Sequence, residues 1–440
     1  SSPEALLPVA RSQPSFDPGR SRPLDAETTA TKKVYANGDG TRTAVLSAGP
    51  VRFKDGAGRW TDVDLALAPR PDGLLVAKAA PGATSRLSPK ADGAVAAVDT
   101  SAGTLSLRHP GASASQAEVA GTTATYKAAL GRRDLVLSLT TNGFEETVIV
   151  PDAAAGMAYV DELVLPAGVS ARQAGSGVEL LDRAGAVVAT FGGGLAFDAA
   201  KKAGSVTPVS LRLTGTTAGQ TADGTSVATV EVGVDPAWAS APERAFPVRI
   251  DPVFTKRTTD AGGVDSTVDN LELADTRQDT SAWMTVGSWD GAHTSRALMS
   301  FDLGSLPNPT TVVSAAKVSL YNNSSFTCAP RSLRVAGLGG AWTSAVTWDT
   351  APGIDAAGST VAPGFGHGNA CAGAWVDVDI TALASRWVHD GAPNYGLQLT
   401  VPPGSEFDTS YFTGVYAAEA GVNAPTLTIT YNRPPPTAAL

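Results

Sequence analysis

The sequence predicts a mostly β chain: a β-sandwich region in the first half, then a jelly-roll sandwich that carries one short helix. Three observations predict it. Short runs of alternating apolar and polar residues recur at roughly 8–12-residue spacing along most of the chain, the rhythm of sandwich strands. The breaks between them are rich in Gly, Pro, Asn and Asp, with 46 glycines and 30 prolines in 440 residues, and these residues supply the backbone angles that tight turns need. One stretch alone, around residue 380, carries the 3.6-residue apolar period of a clear helix.

The elements follow in order. A chain of this length exceeds one core, so two or three domains are expected. Residues 1–31 show no period and read as a tail or linker. From Lys32 the alternation begins, and residues 32–67 read as three or four short strands. They turn at Asn37-Gly38-Asp39-Gly40 and Asp55-Gly56-Ala57-Gly58, where glycine provides positive φ. Similar strands continue to residue 254, with a break at 151–156 that divides this β-rich region into two candidate subdomains. Gly192, Gly193 and Gly194 open no helix, so they form no phosphate cradle and read as a bend between strands. The alternation closes against Pro252, which lacks a ladder donor.

A second domain spans residues 255–431 and holds six of the eight tryptophans. Eight strand candidates and one late helix fit a jelly roll. In the helix, Ile380, Leu383, Ala384, Trp387 and Val388 fall on one face, Asp379 sits at the N-cap, and Gly391 supplies the stop. Residues 432–440, with Pro434-Pro435-Pro436, read as a stiff linker to a downstream part. On this division residues 256–431 are expected to fold alone.

Composition excludes some functions. The net charge is −9, and from Lys256 onward there are 9 basic against 16 acidic residues. Such a surface repels phosphate backbones, so nucleic acid is not expected as a partner. No run of 18 apolar residues exists to span a membrane as a helix. Cys328 and Cys371 are the only cysteines. They are either two inert buried thiols or a disulfide; their small, polar, loop-like contexts favour the disulfide and an extracellular chain.

Chemistry-bearing patterns are few. His109, His293, His367 and His389 sit in no metal-binding or nucleophile motif, and His367 reads as part of a surface loop beside Cys371. The acidic run Asp260, Asp265, Asp269, Glu272, Asp275, Asp279 is the one candidate cation site. Calcium (Ca2+) takes six to eight oxygens, and Asp260, Asp265 and Asp269 are its candidate ligands, against the plainer alternative of a solvated acidic loop. Sugar binding needs aromatic platforms, and Trp283 and Trp289 are the candidates because an even spacing on one strand would place them on one face. Tyr321, Phe326, Tyr411 and Tyr416 are further aromatics on offer. No pair of carboxylates stands in an aromatic cleft as glycan hydrolysis requires, so the chain is expected to be non-enzymatic.

Four segments carry a resemblance: residues 295–303; Trp342 with Thr347-Trp348-Asp349-Thr350-Ala351-Pro352; Trp375-Val376-Asp377-Val378-Asp379-Ile380-Thr381 with its helix; and residues 425–431. Through them residues 256–431 resemble the DNRLRE-type jelly-roll domain of Gram-positive secreted proteins, a relative of carbohydrate-binding modules. The resemblance implies that Trp342, Trp348, Trp375 and Trp387 fill the core, and it supports a bound calcium. Asn37-Gly38-Asp39-Gly40-Thr41-Arg42-Thr43, Ala48-Gly49-Pro50-Val51 and residues 246–252 are similar to the region that precedes this domain in actinobacterial wall-associated YD-repeat (Rhs-type) proteins. That resemblance implies a non-catalytic structural or interaction region of a large secreted, cell-wall-associated, polymorphic-toxin-like protein. Its partners would be the downstream part of the same polypeptide or other toxin-assembly components. The alternative is a protein that anchors to cell-wall or extracellular polysaccharide. An exposed, aligned aromatic strip would favour the glycan binder, and a broad apolar patch the assembly role.

Overall fold

The computed structural model describes residues 16–81, 85–218, 224–256, 265–271, 283–343 and 346–432. The chain is mostly β, with sheets curled into barrel and half-barrel shapes, and every paired strand in the large sheets runs antiparallel to its neighbours. Alternation explains why. In Gly143–Val150, for example, Phe144, Glu146, Val148 and Val150 turn inward while the residues between them are half-buried, the period-2 pattern of a strand with one covered face.

Most of the first half forms one sixteen-stranded sheet that curls over a single core, which includes Leu105, Leu137, Phe144, Leu163, Phe191, Val230 and Phe254. Residues 151–156 make a short turn in which the Asp152 side chain accepts from Ala155 N. The strands on either side of it, Gly143–Val150 and Tyr159–Leu165, both feed that one core. The glycine run lies within the strand Val187–Phe197, not between strands. Its register slips between Gly192 and Leu195, and a Cβ on Gly193 or Gly194 would stand 2.3 Å from Val209 O or 1.9 Å from Asp251 O. Only glycine fits a bulge where three backbones close together, and this bulge bends the sheet.

The second half is a two-sheet sandwich. Asp265–Asp269, Ser295–Met299, Leu397–Thr400, Leu333–Leu338 and Ile354–Val361 form one sheet. The other contains Thr426–Asn432, Val312–Ser325, Thr413–Tyr416, Trp283–Val286 and Ala374–Asp379. Its remaining strands come from the beginning of the chain. Arg22–Pro23 pairs with Lys32–Ala36, which pairs with Arg42–Ser47, and Arg42–Ser47 runs beside Thr426–Asn432 with Ala44 opposite Ile429. Val34, Ala44, Leu46 and Ala48 are wholly buried in the jelly-roll core. Thr43 and Thr430 share a buried hydroxyl hydrogen bond of 2.9 Å. Residues read from the sequence as tail and first-region hairpin thus cover an edge that would otherwise present unpaired amides and carbonyls.

The helix Thr381–Val388 closes one end of this sandwich, burying Leu383, Ala384, Trp387 and Val388 as its spacing predicts. The N-cap is Ile380, one residue later than expected; from the position before it, Asp379 Oδ1 still accepts from Thr381 N at 2.8 Å, satisfying a first-turn amide. Gly391 takes φ +70°, and just beyond it Ala392 N returns to Arg386 O. Cys328 and Cys371 are bonded, with Cα atoms 5.9 Å apart. Removing a cross-link over 43 residues should destabilise the protein by about 4 kcal/mol in the chain-entropy model. A Cys328→Ser, Cys371→Ser double variant should unfold at lower denaturant than the wild type, and an unchanged midpoint would show that the bond contributes nothing.

Candidate functional site

The outer face of the five-stranded sheet carries a groove lined largely by polar side chains. In its central strand, Leu397 and Leu399 enter the core, so Gln398 and Thr400 point outward. Arg334 lies opposite Thr400, and the pairing of Ala297 with Leu399 sets Arg296 on Thr400's other side. Arg296, Arg334, Gln398, Thr400, Ile354 and Glu406 line a groove of about 250 Å³. Its upper end rests on a small apolar cluster of Val268, Leu298, Leu338 and Val346, flanked by Trp342 and Trp348. The Arg296 guanidinium stands 4.2 Å over the Trp348 ring, a cation–π contact, and burial pulls its pKa down while Glu406 opposes that shift. Gln398 is 3% exposed, and its Nε2 has no hydrogen-bond partner. A buried donor left unpaired costs about 1–3 kcal/mol, so it is a group that a ligand oxygen would satisfy.

The other sheet offers a second surface. Trp375, Asp377 and Asp379 alternate with buried Val376 and Val378, and Trp375 is 43% exposed. The expectation that Trp375 fills the core is therefore corrected. The alternation Val376, Val378, Ile380 already gave the inward set, and Trp375 belongs to the opposite one. Tyr321 meets it edge-on at 5.4 Å and lies 5.5 Å from Tyr416, while Tyr416 is paired with Trp283. Four aromatics thus cross four strands in one row, exposed only at the Trp375 end. A hollow of about 450 Å³ nearby includes Lys317, Asp377 and Thr381. Its central charges are engaged with each other: Lys317 Nζ and the neighbouring Ser319 Oγ both reach Asp377, at 2.5 and 2.6 Å.

The remaining sequence candidates fall elsewhere. Trp283 and Trp289 are 8% and 3% exposed and form no platform for a sugar. They pack with Phe412 and Val206, beside Leu195 and Phe197, so they join the jelly roll to the first region. The Phe197 and Trp283 rings are 4.8 Å apart, and Gly204 N donates to Trp289 O. Asp260 lies outside the described residues. Asp265 and Asp269 are buried within a strand, not set in a loop; Asp265 Oδ2 accepts from Ala418 N at 2.6 Å, and Asp269 Oδ1 from Leu271 N at 3.1 Å. His367 sits in the disulfide loop, with Nδ1 3.1 Å from Ser325 O.

A jelly roll with an open polar groove on one sheet is the architecture of a ligand-binding domain. Residues 257–431 match the model of carbohydrate-binding module family 96. No curated protein matches the chain. No helix among the described residues is long and apolar enough to cross a membrane.

Proposed function

We propose that the chain is a non-catalytic polysaccharide-binding protein whose ligand lies along the groove of Arg296, Arg334, Gln398, Thr400 and Glu406. The observation that carries it is the groove's unspent hydrogen-bonding capacity, within the segment that matches a carbohydrate-binding module. Among the described residues neither guanidinium closes an ion pair, and the ring of Trp348 lies against Arg296. Polar groups that converge on an apolar floor fix a ligand's orientation. On this reading the protein works outside the cell, where its disulfide persists.

Affinity electrophoresis against a panel of neutral and acidic polysaccharides tests this. The wild type should be retarded by at least one of them. Arg334→Ala, which removes an outward-facing side chain, should weaken that retardation about 10-fold or more with little change in melting temperature. Retardation equal to that of the wild type would remove Arg334 from the site, and no retardation by any polysaccharide would remove the function.

A second reading places the chain in a wall-associated YD-repeat or polymorphic-toxin protein. Its support is the three matching strings in the first region, together with the way that region grips the jelly roll by lending it strands. Such a grip would present the groove at a fixed angle to further parts of a larger assembly. A reading frame that encodes tyrosine-aspartate repeats after residue 440 would support it, and an unrelated frame would leave only the polysaccharide reading.

A further inference from the structure

The core of the first region contains a polar cluster that plays no part in the proposed groove. His109 follows the strand Gly103–Arg108, Glu146 lies on Gly143–Val150, and Asp161 lies on Tyr159–Leu165. Four strands separate the last two in the sheet order, and the curl of the sheet brings them together across its interior. All three side chains are 0–1% exposed. Their neighbours across the pairing are apolar: Leu137 beside Glu146, and Val230 beside Asp161.

The geometry is not that of a closed hydrogen-bond network. His109 Nδ1 and Asp161 Oδ1 are 2.8 Å apart, yet neither atom makes an aligned hydrogen bond. His109 Nε2 is 3.9 Å from Glu146 Oε2, and those two atoms and Asp161 Oδ2 also lack partners. The one satisfied atom is Glu146 Oε1, which accepts from Tyr159 OH at 2.8 Å. The nearest arginine does not answer the carboxylates. Arg133 lies over the Tyr159 ring and donates to the carbonyls of Leu130 and Ala158. Unsatisfied groups this deep are expensive, and two ionised carboxylates facing one imidazole would carry an excess of negative charge.

One ligand atom from each of the three residues lies within 4.8 Å of the others. We propose that His109, Glu146 and Asp161 form a buried site for a divalent transition-metal ion, zinc first among them, which pins together distant strands of the curled sheet. An imidazole with two carboxylates is a donor set that suits zinc, whereas calcium and magnesium prefer oxygen alone. Tyr159, through its hydrogen bond to Glu146, would orient one ligand from behind. Without the ion, burial and the neighbouring Asp161 push the Glu146 pKa up to about 8, and burial raises that of Asp161 as well. The same enclosure pulls the His109 pKa down, which leaves the imidazole neutral and able to ligate.

Full-length protein produced in cobalt-supplemented medium tests the site through its colour. It should carry about one equivalent of cobalt and show visible d–d absorption. Glu146→Gln and Asp161→Asn keep shape and burial while removing a ligand, and each should lower metal content by about 10-fold or more. A second measurement needs no variant: stripping the wild type and reloading it with zinc should raise the melting temperature by about 5–10 °C. A colourless wild type with no thermal response to zinc would overturn the proposal and leave a cluster of protonated carboxyls. Full metal content in both variants would overturn it equally.

Discussion

A chain cut down to residues 256–431 should not fold into a stable jelly roll. Every large strand the sequence assigns to that domain is present in it, yet the sandwich would lose Lys32–Ala36 and Arg42–Ser47. Val34 and Leu46 are wholly buried in its core, and each apolar side chain of that size contributes roughly 1.5–3 kcal/mol by burial. Ala44 and Ala48 add to this, as do the backbone ladder to Thr426–Asn432 and the shared hydroxyls of Thr43 and Thr430. The sum, on the order of 5–8 kcal/mol, rivals the whole stability of an ordinary domain. Near-ultraviolet circular dichroism and thermal unfolding should show a truncated chain without fixed side-chain packing, inclined to associate through its bared edge. A sharp transition at the full-length melting temperature would show that the first strands are ornamental.

Trp283→Ala should be nearly as damaging, and for a reason unconnected with sugars. The indole lies against Phe197 of the first region on one side. On the other it crosses Gly414 so closely that a Cβ there would stand 2.9 Å from its ring. Truncation would leave a cavity at the joint between the two halves and should destabilise the protein by about 3–5 kcal/mol. It should also loosen the halves, so that limited proteolysis cuts between them. Polysaccharide affinity of the folded fraction should stay the same, because the groove lies on the other sheet. An affinity loss at unchanged stability would instead restore Trp283 as a ligand-binding residue.

How much of this was legible in the sequence depended on whether the information was local. The helix 381–388 could be read because its apolar face and its stop lie within a few residues of one another. Strand existence could be read for the same reason, and so could the setting of Cys328 and Cys371. Partner choice could not. Val34, Ala44 and Leu46 alternate identically whichever sheet receives them, and nothing near them names Thr426–Asn432 as their neighbour. The buried trio of His109, Glu146 and Asp161 is not legible because its members lie on or just after three separate strands with no motif spacing. A signal was present all the same: Glu146 falls between Phe144 and Val148, and Asp161 between Tyr159 and Leu163, each acid in step with inward-facing apolar residues. Trp283 and Trp289 misled because large aromatics serve interfaces as readily as sugars. Trp375 could have been placed by its own alternation with Val376 and Val378.

Which strands a polysaccharide touches decides most directly between the two faces of the jelly roll. Hydrogen–deuterium exchange of the full chain, with and without a polysaccharide that retards it in affinity gels, would locate the contact. Protection is expected in Ser295–Met299, Leu333–Leu338 and Leu397–Thr400, the strands that carry Arg296, Arg334, Gln398 and Thr400. Protection confined to Ala374–Asp379 and Val312–Ser325, around Trp375 and Tyr321, would contradict the groove and move the site to the opposite sheet.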